Sequence, residues 1–145
     1  MPVRIVLCPV DFSQTSEEAL RFAVSIAPRL GARELHVLHV HQPPAVTLPS
    51  GAVLEERMPE ARLRAARALE DLTKRYSAHD VVVVPHLADG VPYEVILAKT
   101  AELGADLVVM GTHGYHGLKR ALLGSVAERV VRRSPVPVCT LRCRS

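Results

Sequence analysis

Residues 106–126 read DLVVMGTHGYHGLKRALLGSV. A short apolar run, Asp106–Met110, meets a glycine-rich segment, and a helix-compatible run opens at Ser125. The segment holds four of the chain's eight glycines: Gly111, Gly114, Gly117 and Gly124. A strand that ends in a glycine-rich loop and then enters a helix is a setting for phosphate. Glycine lets backbone N–H groups approach an anion, and the helix N-terminus adds roughly half a positive charge.

Working outward, the same alternation recurs. Downstream, Ser125–Arg133 reads as a helix, Ser134-Pro135-Val136-Pro137 breaks it, and Val136–Leu141 reads as a fifth strand. Upstream, Pro92 opens a helix that Gly104 closes, after the turn Asp89-Gly90-Val91. Val81–Pro85 is a buried third strand. Glu55–Tyr76 is a long helix with Leu63, Ala66, Leu69, Leu72 and Tyr76 on one face. His41–Gly51, with Pro43, Pro44 and Pro49, reads as a loop, and Glu34–Val40 as the second strand. The first helix carries Ala19, Leu20, Ala23, Ile26, Ala27 and Leu30 at helical spacing. Thr15 and Glu18 fit a capping box, Pro28 should kink or shorten the helix, and Gly31 stops it. Val3–Val10, apolar but for Arg4, is the first strand.

Alternating strands and helices predict an α/β single domain over residues 1–145: an open parallel five-stranded sheet with helices on both faces. In such sheets ligands sit beyond the carboxyl ends of the strands, where the strand order reverses. Asp11 follows strand one and Gly111 follows strand four. If they share one crevice, those strands are neighbours and the order is 3-2-1-4-5.

Composition narrows the chemistry. Apolar residues make up 48%, with no Trp, two Phe and three Tyr, so the core is aliphatic and stacking platforms for single-stranded nucleic acid are not favoured. From Lys119 onward seven basic residues stand against Glu128 alone, so that segment carries +6 and the remainder −3 of the net +3. This is either a solvated face or a field that draws an anion toward the glycine loop. Cys8, Cys139 and Cys143 form no CxxC pair, and Cys8 reads as a small core residue. No leader or membrane-length apolar run is seen, so a cytoplasmic setting is expected.

Several motifs are excluded. Five positions after Gly111 stands His116, so GxxxxGK[ST] fails, and GxGxxG and GxSxG are absent. Strand one offers Asp11 without the acidic cluster of a phosphorylated receiver. His36, His39 and His41 lie on or near strand two, with His36 facing opposite to the other two, and no further ligands accompany them. His113 and His116 are loop residues or donors to phosphate oxygens. Asp11 either caps the first helix or serves a ligand.

The spacing Gly111-xx-Gly114, nine residues, then Gly124-Ser125 resembles the G-2x-G-9x-G-[S/T] pattern of the ATP-binding universal stress proteins. The resemblance extends to Pro9-Val10-Asp11-Phe12-Ser13, Leu38-His39-Val40, Gly90-Val91-Pro92 and Ser134-Pro135-Val136-Pro137-Val138. It implies a Rossmann-like fold of the adenine nucleotide alpha hydrolase-like kind. It implies a site in which Asp11 holds the ribose hydroxyls and Pro9 and Val40 wall the adenine. Met110, Gly111, Thr112, His113, Gly114, Tyr115 and His116 form the phosphate loop, and Gly124, Ser125 and Val126 hold the distal phosphates. The implied ligand is ATP with Mg2+ or Mn2+, the implied assembly a homodimer through Val136–Leu141, and the implied role a nucleotide-dependent stress-response regulator. The alternatives are a slow ATPase or nucleotidyl-transfer enzyme of the same fold, and a partner-binding module that needs no nucleotide. No general base is evident, so at most weak hydrolysis is expected. Membrane association is not expected, and a nucleic-acid role rests on charge alone.

Overall fold

The computed structural model describes residues 2–43, 45–55, 59–77, 80–112 and 123–142. In chain order the elements are β1 (Ile5–Pro9), α1 (Gln14–Ile26), β2 (Glu34–His41), β3 (Ala45–Thr47), β4 (Val53–Glu55), α2 (Pro59–Tyr76), β5 (Val82–Asp89), α3 (Pro92–Leu103), β6 (Leu107–Gly111), α4 (Ser125–Arg133) and β7 (Val138–Leu141). The main sheet runs β5-β2-β1-β6-β7, and each neighbouring pair is parallel. Numbered among main-sheet strands alone, this is the expected order 3-2-1-4-5.

The inner strands β1, β2 and β6 are buried on both faces, as their apolar runs require, whereas the third strand, expected to be a buried Val81–Pro85, is the edge strand Val82–Asp89 with no buried residue and Val82 62% exposed. On one face Val6, Cys8, Val10, Leu35, Val37 and Val109 meet α1 through Ala19, Leu20 and Ala23, and α2 through Leu69 and Leu72. On the other, Leu7, Leu38, Val108 and Met110 meet Ile96 of α3 and Ala127 and Val130 of α4. The split follows the period of two in each strand. Burial pushes the Cys8 thiol pKa far up, in keeping with a core residue.

Several expectations need correction. The cap of α1 is Ser13 rather than Thr15: the Ser13 hydroxyl accepts from Ser16 N at 3.2 Å. Pro28 ends the α-helix at Ile26, and a short 3-10 turn follows, closed by Gly31 in the left-handed region at φ 85°. Leu30, past that break, is exposed. The loop at His41–Gly51 contains β3, which pairs antiparallel with β4. Prolines punctuate this stretch, yet the Val46-Thr47 pair between them is β-branched and strand-compatible. Glu55 belongs to β4 rather than to the helix, and α2 is Pro59–Tyr76. Its early Leu63 is 51% exposed, and the helix is anchored from Leu69 onward. Strand β7 begins at Val138 rather than Val136. Asp106 sits just before β6, where its Oδ2 accepts from Arg4 N at 2.9 Å and Ile5 N at 3.1 Å. Those two bonds hold its carboxyl below the ordinary range and stitch the start of β1 to β6.

Under α3, His36 Nε2 lies 2.8 Å from Glu34 Oε2 and His36 Nδ1 lies 2.7 Å from His86 Nε2. The carboxylate only accepts, so His36 Nε2 donates to Glu34, and a single proton is shared between His36 Nδ1 and His86 Nε2. Desolvation lowers the His86 pKa, His36 and Lys99 add to the shift, and Glu102 opposes it. The unfolded chain therefore binds the His86 proton more readily. Its contribution is present above the unfolded value near 6.5 and is lost as pH falls from there toward the folded value. The melting temperature is expected to drop across that window, and the drop should be shallower in His86→Gln, measured by thermal denaturation from pH 8 to 5.

Candidate functional site

Strand order reverses between β1 and β6, and a cleft of about 640 Å³ opens there. The strand ends supply Pro9, Val10 and Asp11 from β1, Leu38, Val40 and Gln42 from β2, and Met110, Gly111 and Thr112 from β6. Helices α3 and α4 close it with Pro92, Ile96 and the run Gly124–Ala127. Apolar side chains line the β2 and α3 side. Polar groups gather where β1, β6 and the start of α4 converge.

The turn from β1 into α1 is tightly specified. Val10 N donates to Leu38 O at 2.8 Å. Asp11 N donates to Ser16 Oγ at 3.2 Å, and Ser13 N donates to Asp11 Oδ1 at 3.0 Å. Ser16 Oγ in turn donates to Ser13 O at 3.0 Å. Phe12, between Asp11 and Ser13, has φ 65°. For a bulky non-glycine residue that is a strained left-handed conformation, costing on the order of 1–3 kcal/mol. The cap of α1 is Ser13, so Asp11 is outside the helix. Its Oδ2 has no hydrogen-bond partner among the described residues and is exposed at the cleft.

At the opposite wall, Thr112 N donates to Leu141 O and Gly124 N donates to Thr112 O at 2.6 Å. This fixes the start of α4 against the end of β6. Gly124 is the α4 N-cap and offers no side-chain bond. Glu128 N is the first to bond back, to Gly124 O at 2.9 Å, so the earlier amides of the turn lack intrahelical acceptors. Thr112 lines the same cleft, and its buried hydroxyl has no hydrogen-bond partner among the described residues. A buried hydroxyl left unsatisfied costs about 1–3 kcal/mol, and uncapped helix amides lining the same cleft favour an anion.

Of the residues the sequence singled out, Pro9, Asp11, Val40, Met110, Gly111, Thr112, Gly124, Ser125 and Val126 meet around this one cleft. His113, Gly114, Tyr115 and His116 lie outside the described residues, as do Gly117, Lys119, Arg120 and Cys143. Gly111 has a structural reason of its own: a Cβ there would stand 2.7 Å from Thr15 Cγ2 and 3.2 Å from the Thr15 carbonyl. Sequence reasoning missed Ser16, which reads locally as one more helix-start serine. It also missed Ile96, one helical turn beyond Pro92, and Gln42, two residues after Val40 and just past the end of β2. The period of the strand and of the helix would have found the last two.

A model of the universal stress protein family matches residues 2–142. The universal stress protein MJ0531 of Methanocaldococcus jannaschii is 34% identical over 137 residues, which cover 94% of this chain and 81% of that protein. The solved universal stress protein UspA of Lactobacillus plantarum superposes with TM-score 0.83 at 25% identity, over 98% of this chain and 99% of the other. Two further solved proteins share the fold at lower identity. A universal stress protein in complex with cAMP has TM-score 0.74 at 22% identity, covering 98% of each chain. The protein of Archaeoglobus fulgidus in complex with dAMP has TM-score 0.65 at 24% identity, covering 97% of this chain and 98% of its own.

Proposed function

This chain belongs to the universal stress protein family, and from that premise we propose that it binds ATP in the cleft between β1 and β6 as a regulatory ligand. The observation that carries the reading is the pairing of two unmet sets of polar groups across one cleft. Among the described residues Asp11 Oδ2 has no partner on one side, and neither the Thr112 hydroxyl nor the start of α4 has one on the other. A carboxylate accepts from ribose hydroxyls, and helix amides with a hydroxyl donate to phosphate oxygens. Pro9, Leu38, Val40 and Ile96 between them suit a flat apolar base. Two proteins of the same fold hold cAMP and dAMP, which supports an adenine nucleotide as the class of ligand. Met110 through His116 complete the phosphate loop in this reading. In this reading Mg2+ or Mn2+ enters with the nucleotide, as the counter-ion of the triphosphate.

Calorimetry with MgATP tests this. Wild type is expected to bind, and Asp11→Ala to bind about tenfold more weakly, the loss of roughly one charge-assisted hydrogen bond. Equal affinity in both proteins would remove Asp11 from the site. No heat with wild type, and no adenine nucleotide in the mass spectrum of material released from the purified protein, would remove the reading.

We also propose that two copies pair through β7, which has only β6 beside it in the sheet. Val108 N donates to Pro137 O and Thr112 N to Leu141 O. Carbonyls alternate sides along a strand, so the backbone groups of Val138 and Thr140 face outward. Thr140→Pro is expected to yield a monomer with the fold retained, because proline is tolerated where no internal bond is lost. Light scattering after gel filtration reads the mass. A dimer that survives the substitution would exclude pairing by this edge.

A further inference from the structure

We infer that His39 is a positioning residue for Asp11, holding the strained β1–α1 turn in its binding geometry from the opposite face of the sheet. His39 is on β2 and faces away from the cleft, since Leu38 and Val40 on either side of it line the cleft and side chains alternate. Its Nδ1 lies 2.8 Å from Val10 O. A carbonyl only accepts, so Nδ1 carries the proton and donates. Val10 is thereby held to β2 at both polar groups, its N–H by Leu38 O and its C=O by His39. The His39 ring also packs on Phe12, with centroids 4.4 Å apart and planes tilted by 35°. Phe12 is the one described non-glycine residue with positive φ. One imidazole thus touches the residues immediately before and after Asp11.

A left-handed Phe persists only when its surroundings over-determine it. Beside the packing of Phe12 on the core and the bonds of Ser16, the determinants on the β2 side are the His39 donor behind Val10 and the His39 ring against Phe12. They hold the turn in which Ser13 N takes Asp11 Oδ1 and leaves Oδ2 exposed. Without them Phe12 relaxes toward ordinary φ and the carboxylate loses its fixed direction, while the phosphate end, built on β6 and α4, is untouched. His39 therefore acts selectively on the ribose end. This rests on the reading of Asp11 as the ribose ligand.

The test compares ATP with 2′,3′-dideoxy-ATP, which keeps base and triphosphate but lacks both hydroxyls. Wild type is expected to favour ATP by about tenfold. In His39→Ala that ratio falls toward one, with affinity for the dideoxy analogue within about twofold of wild type. His39→Asn, whose side-chain amide can donate to Val10 O in place of Nδ1, restores most of the ratio. Exchange of the Ser13 amide, followed by NMR without nucleotide, is expected to speed up in His39→Ala and slow again in His39→Asn. A ratio unchanged in His39→Ala, or equal losses for both ligands, overturns the inference while ATP binding itself stands. Wild type that binds neither ligand removes the nucleotide reading. The Ser13 exchange then decides alone whether His39 holds the turn, and unchanged exchange overturns that too.

Discussion

Gly111→Ala destabilises the protein by about 1–3 kcal/mol, the range for forcing a methyl group into packed surroundings. The added Cβ meets Thr15 Cγ2 at 2.7 Å and the Thr15 carbonyl carbon and oxygen at 3.2 Å. Thr15 is buried in the first turn of α1, and a β-branched side chain in a helix has few rotamers to retreat into. Either α1 shifts off β6 or the end of β6 bends. For a domain whose whole stability is about 5–15 kcal/mol this is a large fraction. Urea denaturation measures it, and Thr15→Ser supplies the control. Removing Cγ2 should recover much of the loss in the double mutant, leaving the residue owed to the carbonyl contact. A neutral Gly111→Ala would return Gly111 to the role its motif suggested, close backbone access for phosphate. The steric reason and the ligand reason are separable, because only the first appears in the ligand-free protein.

Ser125→Glu should act in the opposite manner. Ser125 is the first residue of α4, exposed at the cleft. A carboxylate there suits the positive helix end and stabilises the helix by about 0.3–1 kcal/mol. The same charge occupies the place proposed for the phosphates and repels them. Affinity for MgATP is expected to fall by about a hundredfold, roughly 2.7 kcal/mol, while the melting temperature holds or rises. Calorimetry and thermal denaturation on one sample separate the two effects. Retained affinity would move the phosphates away from α4. A matched fall in stability would mean that the substitution damaged the fold rather than the site.

Asp11 illustrates where sequence reasoning stops. Its position after a buried strand allowed either a helix cap or a ligand contact. The structure excludes the cap: the Ser13 hydroxyl takes that role, and among the described residues the Asp11 carboxylate accepts from Ser13 N alone. Both residues are good caps, so composition could not rank them; only the backbone turn at Phe12 does. The hairpin β3–β4 was hidden for a related reason, since prolines dominate the local signal while the short strands between them gain from pairing with each other.

What the sequence by itself determined is the architecture and several helix ends, whereas the bounds of α2, β5 and β7 and the hairpin β3–β4 escaped it. Hydrophobic periodicity specified which faces are buried, and Gly31, Gly104, Pro92 and the Ser134–Pro137 break marked where helices start and stop. These are local effects of backbone sterics and of solvent on nearby side chains, so they can be read from neighbours in the chain. The tertiary structure alone decided how Asp11, Thr112 and Gly124 share one cleft, that Gly111 is small because Thr15 leans on it, and that His39 supports the turn at Phe12 from behind. Each of these depends on contacts between groups far apart in sequence. Such contacts are set by strand order, register and the approach of α1 to β6, and no local propensity encodes those distances.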